Sequence, residues 1–450
     1  MTRVAEPWAA YVAELERADE ASAGAGPAWL ARVRGQAGAC FQSLGFPTTD
    51  NEEWRFTSVA PIAETRFAPA ADGRTALARL DLAPFRLGDV AAAELVFVNG
   101  RYAPDLSRLR ALPPGVRIGS LASAVADGAG ELEPYLTRVA AFDRQPFAAL
   151  NTAMFTDGAF VQVPAAVALD APVHALFVST AEGGRPTMAH PRLLAVVGEK
   201  GRASIVESYV GPAGDGYLTN AVTEIVVGDN ASVDHYKLQG ESLLGNHVGA
   251  MQVILRRNAR FQSHSASAGG SLVRNDVVVV LDGEGADCTL NGLYLGDARR
   301  LVDNHTTIDH AKPHGTSREL YKGILADRAR AVFNGRIVVR PDAQKTDAKQ
   351  TNRALLLSED AQINTTPQLE IFANDVKCTH GAAVGQMDDE AIFYLRSRGL
   401  SLEDARTLLI QAFAADVLNR MPLEALRTRV EATLLQWLPH AMATSRGFDQ

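Results

Sequence analysis

The middle of the chain alternates apolar and polar residues in short runs that recur at nearly constant spacing. Each run begins with a polar turn and a small alanine, and the alternation that follows is typical of a β-strand. Successive units are 28, 28, 27, 45 and 30 residues apart, and the repeated alanines are Ala203, Ala231, Ala259, Ala286, Ala331 and Ala361. The 45-residue step leaves room for an inserted or partial unit.

A period of this length without a helical segment predicts a β-solenoid, in which each unit forms one coil. The stacked coils would bury a continuous column of Val, Ile and Leu. The alternative is a β-sandwich or a propeller whose strands happen to recur. A sandwich usually shows turn signals about every 8–12 residues without a longer period, so the repeat favours the solenoid.

Helical spacing replaces the alternation towards the N-terminus. One apolar stripe contains Trp8, Tyr11, Val12 and Leu15, and a second stripe lies within 29–44. Further along, the dipeptide at 99–100 is Asn-Gly between strand-like runs, which is a strong signal for a β-hairpin turn. We therefore expect an N-terminal helical region at 1–85, followed by a mixed segment at 86–165 that leads into the solenoid.

Helical spacing also returns after the last β-unit. Ser401 can cap a helix, with Asp404 three residues later in a weak capping-box arrangement, and apolar residues then recur along one face. We expect the β-helix core to span 86–385 and a C-terminal helical domain to occupy 386–450.

Composition limits the class of protein. With 450 residues and 47% hydrophobic residues, the chain has ample core material for a globular protein. A net charge of −8 argues against a nucleic-acid-binding body. The three cysteines, Cys40, Cys288 and Cys378, are too few and too scattered for a disulfide framework. Because no run resembles a signal peptide or a membrane span, we expect a cytoplasmic protein.

The segment EIFANDVKCTHGA contains a Cys-x-His pair, Cys378 and His380, in a strand-like run. Side chains two residues apart on a strand project from the same face, so the thiol and the imidazole would point to one spot. Two such groups can bind a soft metal or an iron–sulfur species, but a closed site needs about four ligands. The remaining ligands would have to come from elsewhere, such as another chain. The alternative is a buried structural cysteine beside a hydrogen-bonded histidine.

A second polar run contains His305, His310 and His314 together with Asp303 and Asp309. These residue types can bind divalent ions, but their spacing matches no known metal site, and they are more simply explained as turn residues that bond backbone groups. The chain has no G-x-S-x-G motif and no evident acid–base pair of carboxylates. We therefore expect no enzymatic activity from the chain alone.

Several longer stretches are distinctive beyond these motifs. They include NEEWRFTSVAPI, DNHTTIDHAKPHGTSRELYKGIL, AVFNGRIVV and ALLLSEDAQINTTPQLEIFANDVKCTHGAAVGQMDDEAIFYLRSRG. Together they resemble the SufD members of the SufB/SufD family, which belongs to the SUF iron–sulfur cluster assembly machinery. The resemblance implies a mainly β fold, a right-handed parallel β-helix between N- and C-terminal helical domains.

The resemblance also implies a role and partners. Family members are non-catalytic scaffold subunits that pair through the ends of their β-helices, with the paralogue SufB or with themselves. Their C-terminal helices dock SufC, an ABC-type ATPase, and the corresponding surface here would include Ala405, Arg406, Leu409 and Phe413. The resemblance implies no tightly bound cofactor, only a transient iron–sulfur cluster or iron shared with the partner. The SufB side would supply the principal cysteine, and His380 is the candidate histidine of this chain.

Two other identities compete with this one. A SufB-type primary scaffold has the same architecture, but its members contain more cysteines and differ around the terminal Cys-x-His block. A β-solenoid enzyme acting on polysaccharides belongs to another class, but such enzymes usually have acidic residues clustered along one face and an export signal. Neither feature is present in this sequence.

Overall fold

A parallel β-solenoid of about seven coils forms the body of the protein. The computed structural model describes residues 26–69 and 80–443, together with positions 11, 13, 15, 17 and 77. Each coil contributes one strand to each of two facing sheets. The solenoid strands are β6 (Gly158–Val163), β7 (Val173–Val178), β8 (Thr187–Ala189), β9 (Arg192–Val197), β10 (Arg202–Val210), β11 (Tyr217–Val227), β12 (Ser232–Gly240), β13 (Asn246–Leu255), β14 (Arg260–Ser267), β15 (Leu272–Leu281), β16 (Asp287–Gly296), β17 (Leu301–His310), β18 (Thr316–Leu325), β19 (Arg330–Val339), β20 (Asp347–Leu356), β21 (Gln362–Ile371) and β22 (Lys377–Gly385), numbered after five shorter strands of the N-terminal region.

The two sheets take alternate strands of the chain. Sheet A contains β9, β11, β13, β15, β17, β19 and β21 in that order, and sheet B contains β7, β10, β12, β14, β16, β18, β20 and β22. Neighbouring solenoid strands pair in parallel and in continuous register. The predicted β-solenoid is therefore confirmed, and its core is the column of inward-facing apolar side chains between the sheets.

The repeated alanines mark the corners where a strand begins. All six are almost fully buried, and at three of them the preceding residue, Asn230, Asn258 or Gly285, has a positive φ of 53–70°. A left-handed residue turns the chain sharply, and Asn and Gly tolerate that conformation best. The alanine that follows is small enough to face the packed interior at the corner.

The 45-residue step in the repeat has a simple structural origin. The first four alanines open strands of sheet B, whereas Ala331 and Ala361 belong to the strands β19 and β21 of sheet A. The step from Ala286 to Ala331 is thus one and a half coils, because the repeated sequence pattern occurs on strands of sheet B up to Ala286 and on strands of sheet A from Ala331. The expectation of an inserted or partial unit is wrong.

The N-terminal region comprises α1 (Ala28–Leu44), α2 (Ala60–Ala63), β1 (Ala68–Pro69), β2 (Ala93–Val98), β3 (Arg101–Tyr102), β4 (Arg108–Leu109), β5 (Arg117–Ser120), α3 (Leu121–Leu132) and α4 (Pro146–Met154). The predicted hairpin is confirmed: Asn99 and Gly100 both have positive φ between the antiparallel strands β2 and β3. Of the first predicted apolar stripe, Tyr11 and Leu15 are buried, whereas Trp8 and Val12 lie outside the described residues.

A buried cation attaches the N-terminal segment to the solenoid. Arg274 on β15 lies with its guanidinium 3.7 Å from the ring centre of Trp54 and donates a hydrogen bond to the carbonyl oxygen of Glu53. The same guanidinium is 2.7 Å from the carboxylate of Asp303, which also accepts a hydrogen bond from Thr57. The charge of Arg274 is therefore compensated inside the protein, as a buried ion needs to be.

Three helices close the described chain: α5 (Asp389–Ser397), α6 (Leu402–Leu418) and α7 (Glu424–Ala443). The Ser401 hydroxyl accepts a hydrogen bond from the backbone N–H of Asp404, as the capping pattern predicts. Apolar residues of α6 and α7 pack against the outer face of sheet B. Arg429 of α7 donates hydrogen bonds to the carbonyl oxygens of Phe85 and Arg86, so α7 reaches the N-terminal region. Among the described residues, no helix is long and apolar enough to cross a membrane.

Candidate functional site

One end of the solenoid is open. β21 and β22 are the last strands of their sheets, and within the described residues each pairs with a neighbouring strand on one side only. The end exposes apolar side chains: Phe372 is 61% exposed and Val384 is 46% exposed. An unpaired strand edge with exposed apolar groups is a template for pairing with another chain.

Cys378 and His380 both lie on β22 at this open end. Cys378 is in register with Ala348 of β20, and His380 is in register with Gln350. Because Ala348 and Gln350 are buried between the sheets, the two residues of β22 continue inward-facing rows of the solenoid. The thiol and the imidazole therefore stand on the same face of one strand, at the point where the interior meets the surface.

The surroundings of the two groups differ. Cys378 is half-buried and packs against an apolar cluster that includes Ile337 and Val339, whereas His380 is exposed. Burial raises the pKa of the Cys378 thiol, and the carboxylate of Asp347 raises it further. The thiol of the isolated chain is therefore neutral at neutral pH. Metal binding would require its deprotonation, which a bound cation favours.

Two groups that are able to bind a metal, a thiol and an imidazole, lie at the open end. Across the described residues, no cluster of three or more His, Cys, Asp or Glu side chains is arranged to hold a metal ion. A thiolate and an imidazole suit soft or borderline metals, but they would fill only half of a tetrahedral coordination sphere. Chemically, the pair can complete a site that another molecule begins.

The second polar run does not converge on one point. Asp303 bonds Arg274 and His305. Burial alone would raise the pKa of Asp303, but Arg274, His305 and the Thr57 hydroxyl together outweigh this effect, so the pKa is lowered. His310 is buried and lies 2.9 Å from the Ser317 hydroxyl, and His314 is exposed on a turn with positive φ. These residues have structural partners, but four of the five lie on β17 and bond side chains, so the expectation of turn residues that bond backbone groups is wrong for them.

A buried row behind His380 escaped the sequence analysis. Glu319, Gln350 and His380 occupy the same position on β18, β20 and β22. The amide of Gln350 donates a 2.7 Å hydrogen bond to the Glu319 carboxyl group, and both residues are almost fully buried. Burial raises the pKa of Glu319 from its ordinary value of 4.5 to about 7. The signal in the sequence was the spacing of 31 and 30 residues, which equals one coil.

The four residues expected at an ATPase-docking surface differ in accessibility. Ala405 lies on the buried face of α6 and is fully buried, so its side chain does not lie on the surface. Arg406, Leu409 and Phe413 are partly buried, and the Lys322 ammonium group lies 4.5 Å from the centre of the Phe413 ring. Among the described residues of the three C-terminal helices, the most accessible apolar side chains are instead Phe393 and Tyr394 of α5, Leu435 of α7 and Leu408 of α6, which are 75%, 56%, 47% and 45% exposed.

Comparison with known proteins covers nearly the whole chain. The family model described as "SUF system FeS cluster assembly, SufBD core domain" matches residues 177–413, and the model "SufBD protein N-terminal region" matches residues 9–175. A SufBD family iron–sulfur cluster assembly protein of Synechocystis is 35% identical over 409 residues, covering 89% of this chain and 89% of the relative.

Two further relatives extend this similarity. The iron–sulfur cluster assembly protein SufD of Escherichia coli is 33% identical over 396 residues, covering 88% of this chain and 90% of that protein. Protein ABCI7, chloroplastic, of Arabidopsis thaliana is 30% identical and covers 93% of this chain and 88% of its own length. The similarity therefore includes the solenoid, the open end and most of the flanking regions.

Proposed function

Because the chain belongs to the SufBD family of SUF-system iron–sulfur cluster assembly proteins, we propose that it is a non-catalytic scaffold subunit that contributes half of a shared assembly site. In this proposal Cys378 and His380 are the contributed ligands. The remaining ligands come from a SufB-like paralogue, or from a second copy of this chain, docked at the open end. An iron ion or a nascent iron–sulfur cluster is the cargo and is not a resident cofactor.

The observation that supports this role most directly is the position of the pair. A Cys-x-His pair inside a coil would be sealed between neighbouring strands, but β22 is the terminal strand of sheet B. A partner strand added beside β22 would extend the sheet and place its own side chains next to His380. The exposed apolar residues Phe372 and Val384 would become buried in the same contact.

We also propose that the C-terminal helices dock a SufC-like ATPase. The exposed aromatic and aliphatic side chains of α5 and α6 support this assignment, since such residues dominate protein–protein contacts. The helices pack on the outer face of sheet B, and Lys322 of β18 donates a hydrogen bond to the Phe413 carbonyl oxygen of α6. A conformational change of the docked ATPase would be transmitted to the solenoid through this contact.

The assembly role is tested by removing one ligand at a time from the reconstituted complex. His380→Ala should greatly reduce cluster formation, measured by visible absorption and by iron and sulfide analysis under anaerobic conditions. His314→Ala is the matched control, because His314 is exposed on a turn. Cluster assembly that is unchanged in His380→Ala would remove this residue from the mechanism. Circular dichroism should show the same fold for both variants.

The association at the open end is tested separately. Phe372→Asp should prevent pairing with the paralogue or with a second copy, measured by size-exclusion chromatography with light scattering. Leu243→Asp is the control, since Leu243 is also 61% exposed but lies on a turn elsewhere. Equal association of both variants would show that the partner does not dock at this end.

Docking of the ATPase requires a third experiment. Phe393→Ser should weaken capture of the purified ATPase by the chain, because it removes the most exposed aromatic side chain of α5. Leu109→Ser on β4, far from these helices in the chain, is the control, at 46% exposure. Retention of the ATPase by Phe393→Ser would place the docking surface elsewhere.

A further inference from the structure

A basic groove lies on the outer face of sheet B, beside the C-terminal end of α6. It has room for about 310 Å³. Its lining includes the charged residues Arg318, Glu319, Lys349, Arg353, Asp416 and Arg420, together with Thr351. They come from β18, β20, the last turn of α6 and the residues just after it. A second hollow, formed by β20 and β22, shares Lys349, Thr351 and Arg353 with this groove. Four cationic side chains thus surround one depression in a chain whose net charge is −8.

Two of these cations have no side-chain partner among the described residues. Within the described part of the chain, Lys349 and Arg353 form no side-chain hydrogen bond or ion pair, and both are exposed. Arg318 is bonded to Asp347 at 2.7 Å, and Arg420 is bonded to Asp416 at 3.2 Å. The two carboxylates therefore neutralise part of the charge around the groove and leave an excess of positive charge on β20.

The strand register places like charges opposite one another. Lys349 is in register with Arg318, and Arg353 is in register with Lys322. Like charges directly opposite on neighbouring strands destabilise a sheet. Lys322 is explained by its contacts with α6, where it is 3.1 Å from Asp416. Lys349 and Arg353 have no such structural explanation, so their charge is available to a ligand.

We propose that this groove binds a small polyanion with at least two acidic groups, a polycarboxylate or a polyphosphate. Lys349 and Arg353 are four residues apart on one face of a strand, a distance of about 13 Å between their Cα atoms. Long side chains from both ends can converge on separate acidic groups of one molecule, with the Thr351 hydroxyl between them as a donor.

Binding is tested with the full chain by isothermal titration calorimetry. The probes are pyrophosphate, citrate and, as a monoanion, acetate, all at one ionic strength. The expected result is saturable one-to-one binding of pyrophosphate or citrate. The probe with the higher affinity shows whether the groove prefers a polyphosphate or a polycarboxylate. The double variant Lys349→Gln with Arg353→Gln should bind that probe at least tenfold more weakly.

The matched control is the double variant Lys312→Gln with Arg144→Gln, which removes the same charge from exposed positions elsewhere. Its affinity should stay within twofold of the unmodified chain. The bound polyanion should also raise the thermal midpoint of the unmodified chain and of the control, but not that of the groove variant. Three results would each overturn the proposal: no binding of either polyanion, equal binding by the groove variant, or acetate binding as tightly as the polyanions.

Discussion

The buried carboxyl group of Glu319 makes a quantitative prediction about stability and pH. Glu319 is 3% exposed inside the solenoid, and burial raises its pKa from 4.5 to about 7. The amide of Gln350 donates a 2.7 Å hydrogen bond to this carboxyl group, and the Thr306 side chain also interacts with it. The substitution Glu319→Gln keeps the size and the acceptor oxygen of the side chain but cannot ionise.

The sign of the effect follows from the order of the two pKa values. In the unfolded chain the carboxyl group loses its proton near pH 4.5, whereas in the folded protein it does so near pH 7. Between pH 4.5 and pH 7 the carboxyl group therefore ionises in the unfolded chain but not in the folded protein. The free energy of unfolding consequently falls as the pH rises through this range. A shift of one pKa unit corresponds to about 1.4 kcal/mol, so the loss approaches about 3 kcal/mol above pH 7.

The assay compares urea unfolding of the unmodified chain and of Glu319→Gln at pH 5 and pH 8. The advantage of the variant in unfolding free energy should grow by about 2.5 kcal/mol between these pH values. Buried histidines titrate in the same range, but they are common to both proteins and cancel in the difference. Glu284→Gln, at an exposed turn, is the control and should show no such trend. If the difference in unfolding free energy between Glu319→Gln and the unmodified chain stays constant with pH, the raised pKa of Glu319 is refuted.

Three further predictions concern the solenoid. Arg274→Ala should lower the free energy of unfolding by about 3–5 kcal/mol, as measured by urea unfolding, because it leaves Asp303 buried without its cation. Proteases should then cut the segment 51–62 in this variant. Gly158→Ala should prevent stable folding, since a Cβ there would overlap a backbone carbonyl group of β9, whereas Gly381→Ala meets nothing within 4 Å and should change the thermal midpoint little. Burial lowers the pKa of His310 to about 4, so the unfolded chain takes up a proton at this residue before the folded protein does. As pH falls from 6.5 to 4, this residue should therefore cost the unmodified chain about 3 kcal/mol of unfolding free energy. Acid unfolding curves of His310→Gln should lack this contribution. Each prediction has a result that would contradict it. These results are full stability of Arg274→Ala, normal folding of Gly158→Ala, and the same acid unfolding curve for His310→Gln as for the unmodified chain.

Much of the fold followed from local patterns. Alternation and a repeat of about 28–30 residues predict coils, because each strand buries every second side chain against the next coil. Asn99-Gly100 and Ser401 also act locally, through a left-handed turn and a side-chain cap, and both have the predicted geometry. The step of 45 residues was misinterpreted, since one sequence repeat cannot show which of two sheets a strand enters.

The candidate site was less accessible to sequence reasoning. The shared face of Cys378 and His380 follows from their spacing, but the accessibility of a helical residue depends on what packs against it. Ala405 illustrates this limit: its position on α6 fitted a docking surface, yet it is fully buried. Glu319 likewise gave no sign of its buried position, because acidic residues are usually exposed.

The β-solenoid with its helical ends, and the thiol and imidazole on one face of one strand, could be predicted from local sequence patterns. These features depend on periodicity and on neighbours a few residues apart. The folded structure was needed to show that β22 is the edge strand of sheet B and that Gln350 and Glu319 lie behind His380. It was also needed to show that Lys349 and Arg353 have no side-chain partner among the described residues. Such relations join residues about 30 or more positions apart, and burial, charge pairing and edge exposure arise only when the coils are stacked.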